Sequence, residues 1–269
     1  MTLADTTLDT PTSHHRPLVL NQLVILVDRN LRTSTRVPQL LMFSLTMPMA
    51  MLVLFSQIFR SVADAPAFPA GVSYIDFLTP AMLAISTVMA GTNAGVSAAI
   101  DHANGLHDRF GTLPMSPALP GLARMVTETV MTLARAVLLL APAMALGFHF
   151  HGDLIDAGSG LVVVVALAAA MSALFGEIGD RLRRPDVVQF AGMMAMMPLM
   201  FLSSAFAPLS TVPEWVRAIA ALNPVSRAIG ALRADVLGTA TPVDTAGALA
   251  AAATLWIVVT IFRARGSAS

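Results

Sequence analysis

"LVVVVALAAAMSALFG", residues 161–176, runs for sixteen residues without a charge. It does not alternate apolar with polar, as a strand of a transmembrane barrel must over about ten residues. Its alanines favour helix. A bilayer core about 30 Å thick is crossed by about 20 apolar residues in a helix. With its flanks the stretch reaches that length, over about 158–180. Five more runs meet or approach it, at about 38–59, 75–100, 124–147, 188–207 and 244–262. Each contains Gly, Ala, Ser or Thr, which lets helices approach closely in lipid. Pro48, Pro80, Pro142 and Pro198 fall inside these runs, which a membrane bundle tolerates.

Composition agrees. Of 269 residues, 56% are hydrophobic and only 12% charged, half the roughly 25% of ordinary soluble domains. So few charges cannot solvate the surface of a globular protein this size. The expected fold class is therefore all-α, a polytopic membrane protein with six transmembrane helices. Cysteine is absent, which excludes disulfides and thiolate metal sites. All sixteen basic residues are arginine. Without lysine there is no phosphate-binding G-x-x-x-x-G-K-[ST] loop, Schiff-base lysine or Ser–Lys dyad. Any ATP used must be hydrolysed on another chain. A net charge of zero gives no support for a nucleic-acid partner.

Residues 1–17 are polar and turn-rich and lack the basic start and apolar run of a signal peptide. They are expected to form a disordered cytoplasmic tail, with residues 18–265 as one transmembrane domain. Residues 18–36 are apolar first and basic later, interrupted by Asn21, Gln22 and Asp28. This pattern predicts an amphipathic helix in the cytoplasmic interface, with a short seventh span as the alternative. Arginine sets the orientation. Arg29, Arg32 and Arg36 precede the first run. Arg109 and Arg124 lie between or at the edges of the second and third, Arg181, Arg183 and Arg184 between the fourth and fifth, and Arg263 and Arg265 end the last. Both termini should be cytoplasmic. Arg217, Arg227 and Arg233, after the fifth run, break the pattern.

Three segments carry a resemblance. "SAAIDHANGLHDRFGTLPMSPALPGLAR" (97–124) has a charged, glycine-containing turn, an "RF…LPMSP" block and an arginine opening the next helix. "SSAFAPLSTVPEWVRAIAALNPVSRAIGALR" (203–233) has small residues, then Pro-Leu, Pro-x-Trp and Asn-Pro. "GFHFHGD" (147–153) ends the third run. In this order and at these spans they resemble ABC-2-type transporter permeases, the last segment pointing to the daunorubicin-resistance-type (DrrB/DrrC-like) branch, which includes mycobacterial complex-lipid exporters. The likeness covers roughly residues 20–265. It implies a bacterial inner-membrane permease that pairs with a second, related ABC-2 permease and two ABC ATPase subunits. ATP and Mg²⁺ on those subunits would drive export of a hydrophobic or amphipathic substrate: a drug, an antibiotic or a complex lipid.

Several candidate sites follow. Asp101, His102, His107 and Asp108 could suggest a metal. However, His102 and His107 are five residues apart and point about 140° apart on a helix, without the spacing of H-E-x-x-H. No metal site and no catalytic residue is expected. Docking fits better: Asp101 complements a helix end, Asn104 and Gly105 offer a break, and Phe110 and Leu113 present apolar anchors beside Arg109. By resemblance, Asp101, Gly105, Arg109, Phe110, Leu113 and Pro114 belong to an ATPase-coupling loop; a plain interfacial loop is the alternative. "GEIGDRLRRPD" (176–186) reads as a topology determinant.

Within the third run, Arg124, Glu128 and Arg135 share one helix face. Intramembrane charges face a bundle interior or cavity. Arg124 is expected to pair with Glu128 at the interface. Arg135, about 10 Å further along the axis from Glu128, needs a partner that Glu128 does not reach. A structural ion network is preferred over a substrate-facing charge. Pro208, Pro213, Trp215, Asn223, Pro224 and Arg227 mark an outer segment with short helices at 211–222 and 225–236, which by resemblance re-enters the membrane. The methionines of "GMMAMMPLM" (192–200) are read as packing or lipid contact, with a pathway lining as the sharper alternative. Two other functions remain: an ATP-independent carrier, though no internal repeat is visible, and a membrane-embedded enzyme, for which His149, His151 and Asp153 form the only external His/Asp cluster.

Overall fold

The computed structural model describes residues 19–35, 38–59, 68, 71–105, 116 and 118–266. The N-terminal tail lies outside them. The described residues form helices and turns, with no strand. In chain order the helices are α1 (Val19–Thr35), α2 (Pro38–Ile58), α3 (Tyr74–Ala103), α4 (Leu119–Ala145), α5 (Leu154–Leu182), α6 (Pro185–Phe201), α7 (Glu214–Leu222), α8 (Pro224–Leu237) and α9 (Pro242–Gly266).

Local chemistry sets many boundaries. Ser73 caps α3: its Oγ accepts from the Asp76 amide at 3.2 Å and donates to the Asp76 carboxylate at 2.6 Å. α3 closes at Asn104, followed by Gly105 at φ +65°. Asp153 and Asp156 form a reciprocal capping box at the start of α5, satisfying amide donors that a helix start leaves free. Asn223 caps α8, with Pro224 in its first turn and Gly238 in the left-handed conformation at its end. Pro120 opens α4, so that helix starts at Leu119 rather than near 124. The fifth apolar run was expected to reach residue 207, but α6 stops at Phe201 and residues 202–207 are turns.

α3 is the central element. Phe77, Leu78, Ala81, Met82 and Ile85 on it are essentially sealed from solvent. α5 packs along it, crossing where Gly95 and Gly179 meet backbone to backbone; a Cβ on either would strike the other helix. α4, α6 and α8 also contact α3, and α9 packs on α5 and α8. α1 seats Leu26, with Leu23 and Val27, against Leu119 and Ala123 at the start of α4.

Among the described residues four helices, α3, α4, α5 and α9, are long and apolar enough to cross a membrane, and Leu45–Ile58 of α2 is a shorter apolar segment. Large apolar side chains stay exposed on several of them, including Val137 and Leu138 on α4 and Trp256, Ile257, Ile261 and Phe262 on α9. Apolar surface this extensive matches a lipid solvent. The chain is a helical, polytopic membrane protein. Its two ends differ in chemistry: one gathers Arg124, Arg181 and Arg263, while the other joins the start of α3 to the α4–α5 turn and the end of α8 through His149 on Asp76 and His151 on Val236.

Candidate functional site

At the arginine-rich end four helices meet in an ion junction. Arg124 on α4 reaches Asp101 on α3 at 3.3 Å and Asp180 on α5 at 3.1 Å. Arg263 on α9 reaches Asp180 at 3.1 Å and Glu177 on α5 at 3.0 Å. Arg181 pairs with Glu177 at 2.7 Å and donates to the Phe262 carbonyl at 2.7 Å. His102 lies 3.4 Å from Asp180. Three carboxylates thus face three guanidiniums, each carboxylate held by at least one, in a partly buried setting where unpaired charge would be costly.

This differs from the sequence expectation in two ways. Asp101 sits in the last turn of α3, where the helix dipole disfavours a negative charge; it is an ion-pair partner of Arg124, not a helix-end complement. Arg124 pairs with Asp101 and Asp180 rather than with Glu128. In the sequence Glu177 and Asp180 read only as part of the 176–186 topology determinant and Arg263 only as a marker of orientation, not as site residues. Their signal was present in part: Glu177, Asp180 and Arg181 recur at spacings of three and four, on one face of a helix. Their α9 partner is 80 residues or more away in the chain, as in the 81-residue separation of Arg181 and Phe262.

The junction adjoins the segment leaving α3. Asp101 and Gly105 of the coupling loop are described; Arg109, Phe110, Leu113 and Pro114 lie outside the described residues.

Deeper in α4, Arg135 and Glu128 bridge directly at 3.1 Å. The seven-residue gap is spanned because both side chains extend toward each other along the helix. Both are buried, at 5% and 8% exposure. Beside them a cavity of about 670 Å³ is bounded by α1, α2, α3, α4 and α6, with Met47, Met89, Val96, Gln189, Met193 and Met196 among its lining. Two methionines of the 192–200 run therefore face a cavity, a role that packing or lipid contact alone does not describe. A second space of about 330 Å³ lies toward the arginine-rich end, bordered by Arg29, Asn30, Asp101 and Arg124. Ser34, Ser97, Ile100 and Glu128 line both.

At the opposite end residues 208–233 are tied to the bundle by side chains that donate to backbone carbonyls. Pro208 precedes a single 3-10 turn at Leu209–Thr211, and Pro213 precedes α7. α7 starts at Glu214 rather than 211. Trp215 is exposed. Asn223 is 6% exposed; its Nδ2 donates to the carbonyls of Leu199 and Leu202, and its Oδ1 accepts from the Val225 amide. Pro224 opens α8. The arginines that broke the charge pattern spend their donors on carbonyls: Arg217 on Leu209, Arg227 on Ala221, and Arg233 on Phe77 and Ser204. The Arg233 guanidinium also stacks 3.4 Å from the Phe77 ring centroid, a favourable cation–π placement. The His149 and His151 rings stand 6.4 Å apart, and His149 Nδ1 contacts the Gly147 carbonyl at 2.8 Å. Among the described residues no group of three or more His, Asp or Glu side chains is placed to hold a metal.

Residues 21–237 match the model of the ABC-2 type transporter family. The daunorubicin resistance ABC transporter permease protein DrrB1 of Streptomyces coeruleorubidus is 32% identical over 198 residues, 72% of this chain and 67% of that protein. The putative transport permease ycf38 of Porphyra purpurea is 26% identical over 219 residues, 80% of this chain and 74% of that one. The doxorubicin resistance ABC transporter permease protein DrrB of Mycobacterium tuberculosis is 26% identical over 179 residues, 62% and 59% of the two chains. A polytopic helical bundle with this match is a membrane permease. The chain belongs to the ABC-2 type transporter family and is a homologue of daunorubicin and doxorubicin resistance permeases.

Proposed function

We propose that this chain is the permease subunit of an ATP-driven exporter in a bacterial inner membrane. The observation that carries the reading is the family match over residues 21–237. The lack of any lysine supports a separate ATPase, since a phosphate-binding loop needs one. Two ATPase subunits, holding ATP and Mg²⁺, and a second, related permease complete the assembly. Six helices (α2, α3, α4, α5, α6 and α9) span the bilayer, α1 lies in the cytoplasmic interface, and α7–α8 re-enter from outside. Both termini and the arginine-rich end face the cytoplasm, in accord with positive charge inside.

In this reading the loop between α3 and α4 seats the ATPase. Movement of that loop acts on the ends of α3 and α4, and the ion junction passes it to α5 and α9. The cargo is hydrophobic or amphipathic and leaves the cytoplasm or inner leaflet. The test is co-purification of the tagged chain from its native membrane. An ATPase subunit is expected to accompany it and to hydrolyse ATP in a transport-coupled manner. Normal assembly and transport after replacing residues 106–115 with Gly and Ser would overturn the coupling role.

A further inference from the structure

Arg135 spends Nη2 on Glu128. Its Nε and Nη1 are buried and have no partner among the described residues. A buried donor without an acceptor is costly, and more so on a charged group. Both residues line the 670 Å³ cavity, a size typical of small-molecule sites, about 300–1,000 Å³. Most of the remaining wall is apolar, and Met47, Met89, Met193 and Met196 supply flexible side chains that fit varied chains.

We propose that this cavity binds an amphipathic anion. Its carboxylate or phosphate group pairs with the two Arg135 donors that lack an acceptor, uncovered by a shift of that side chain toward the cavity, and its apolar chain lies along the methionines. The sign follows from the lining. Glu128 is the only carboxylate among the described lining residues and is already engaged by Arg135, so a cationic headgroup would meet a guanidinium and no available counter-charge. An acidic headgroup supplies the acceptors that Arg135 lacks. The smaller space bordered by Arg29 and Arg124 gives a polar approach from the arginine-rich end. The proposal rests on the permease reading and assigns it a substrate class.

The test is binding to the purified full-length chain in detergent. The probes are dansyl-labelled undecanoic acid against its methyl ester, and a phosphatidic acid with the same labelled chain against the matching diacylglycerol. At least one anion is expected to bind about tenfold tighter than its neutral counterpart, the scale of a charge-assisted hydrogen bond; which one does so identifies the headgroup. Arg135→Gln abolishes that preference and leaves the neutral probes unchanged, Arg135→Lys restores part of it, and Glu128→Gln strengthens anion binding. Equal binding of both pairs to the wild-type chain overturns the proposal, as does a preference that survives Arg135→Gln. Should Arg135→Gln not fold, Glu128→Gln decides: stronger anion binding supports the site, and unchanged binding overturns it. No ATPase is needed for this measurement. Failed anion binding with an intact ATPase complex refutes only the substrate class; absence of any ATPase partner refutes only the permease reading.

Discussion

Asn223 connects three helices, two of them through its side chain. Its amide takes two carbonyls at the end of α6, its oxygen caps α8, and its backbone N–H closes α7 on Ile219 and Ala220. Asn223→Ala loses the cap and strands the Leu199 and Leu202 carbonyls, for a cost of about 2–4 kcal/mol. Asn223→Asp keeps the cap acceptor but loses both donors and adds a charge, so its thermal midpoint in detergent should fall at least as far as that of the alanine variant. At the other end, Arg124 and Asp180 should show coupling. Arg124→Gln and Asp180→Asn each lower stability, and the double variant should lose less than the sum by about 1–2 kcal/mol; strict additivity in denaturation would show that the contact contributes nothing.

The helices are spaced by their small residues. Gly95 and Gly179 allow α3 and α5 to touch at the backbone. Gly95→Val should push the pair apart and cost about 1–3 kcal/mol, seen as a lower midpoint and a poorer folded yield. Gly230 differs: it lies within α8, exposed, with nothing near its vacant Cβ position. Gly230→Ala should raise stability by about 0.5–1 kcal/mol through helix propensity and unfolded-state entropy. Element positions were largely legible because burial in lipid demands long apolar runs. Starts with local caps, such as Asp153 with Asp156 and Ser73 with Asp76, carry their signal within a few residues. The end of α6 does not, because Asn223 takes its carbonyls from 24 residues away in one bond and 21 in the other.

Across the whole molecule, one end holds the ion junction at the ends of α3 and α4 and the other the carbonyl-bound Arg217, Arg227 and Arg233. Arg109→Ala or Phe110→Ala should weaken capture of the ATPase, or leave ATP hydrolysis running without transport, in purified complexes; both variants behaving as wild type would remove those residues from the coupling surface. The sequence by itself determined that the chain is helical, that it lives in lipid and that it offers no lysine for a G-x-x-x-x-G-K-[ST] loop, because apolar length and residue content are properties of the chain alone. It also placed Arg124, Glu128 and Arg135 on one face of one helix, since 3.6 residues per turn is a local rule. Which charge pairs with which was decided only by the tertiary structure. Arg124 turns to Asp101 and Asp180 because α3 and α5 bring those carboxylates within reach, which leaves Glu128 to Arg135. The same packing of α2, α3 and α6 against α4 turned a methionine run into a cavity wall, for a cavity is the space that separate helices leave between them, and no single helix encodes it.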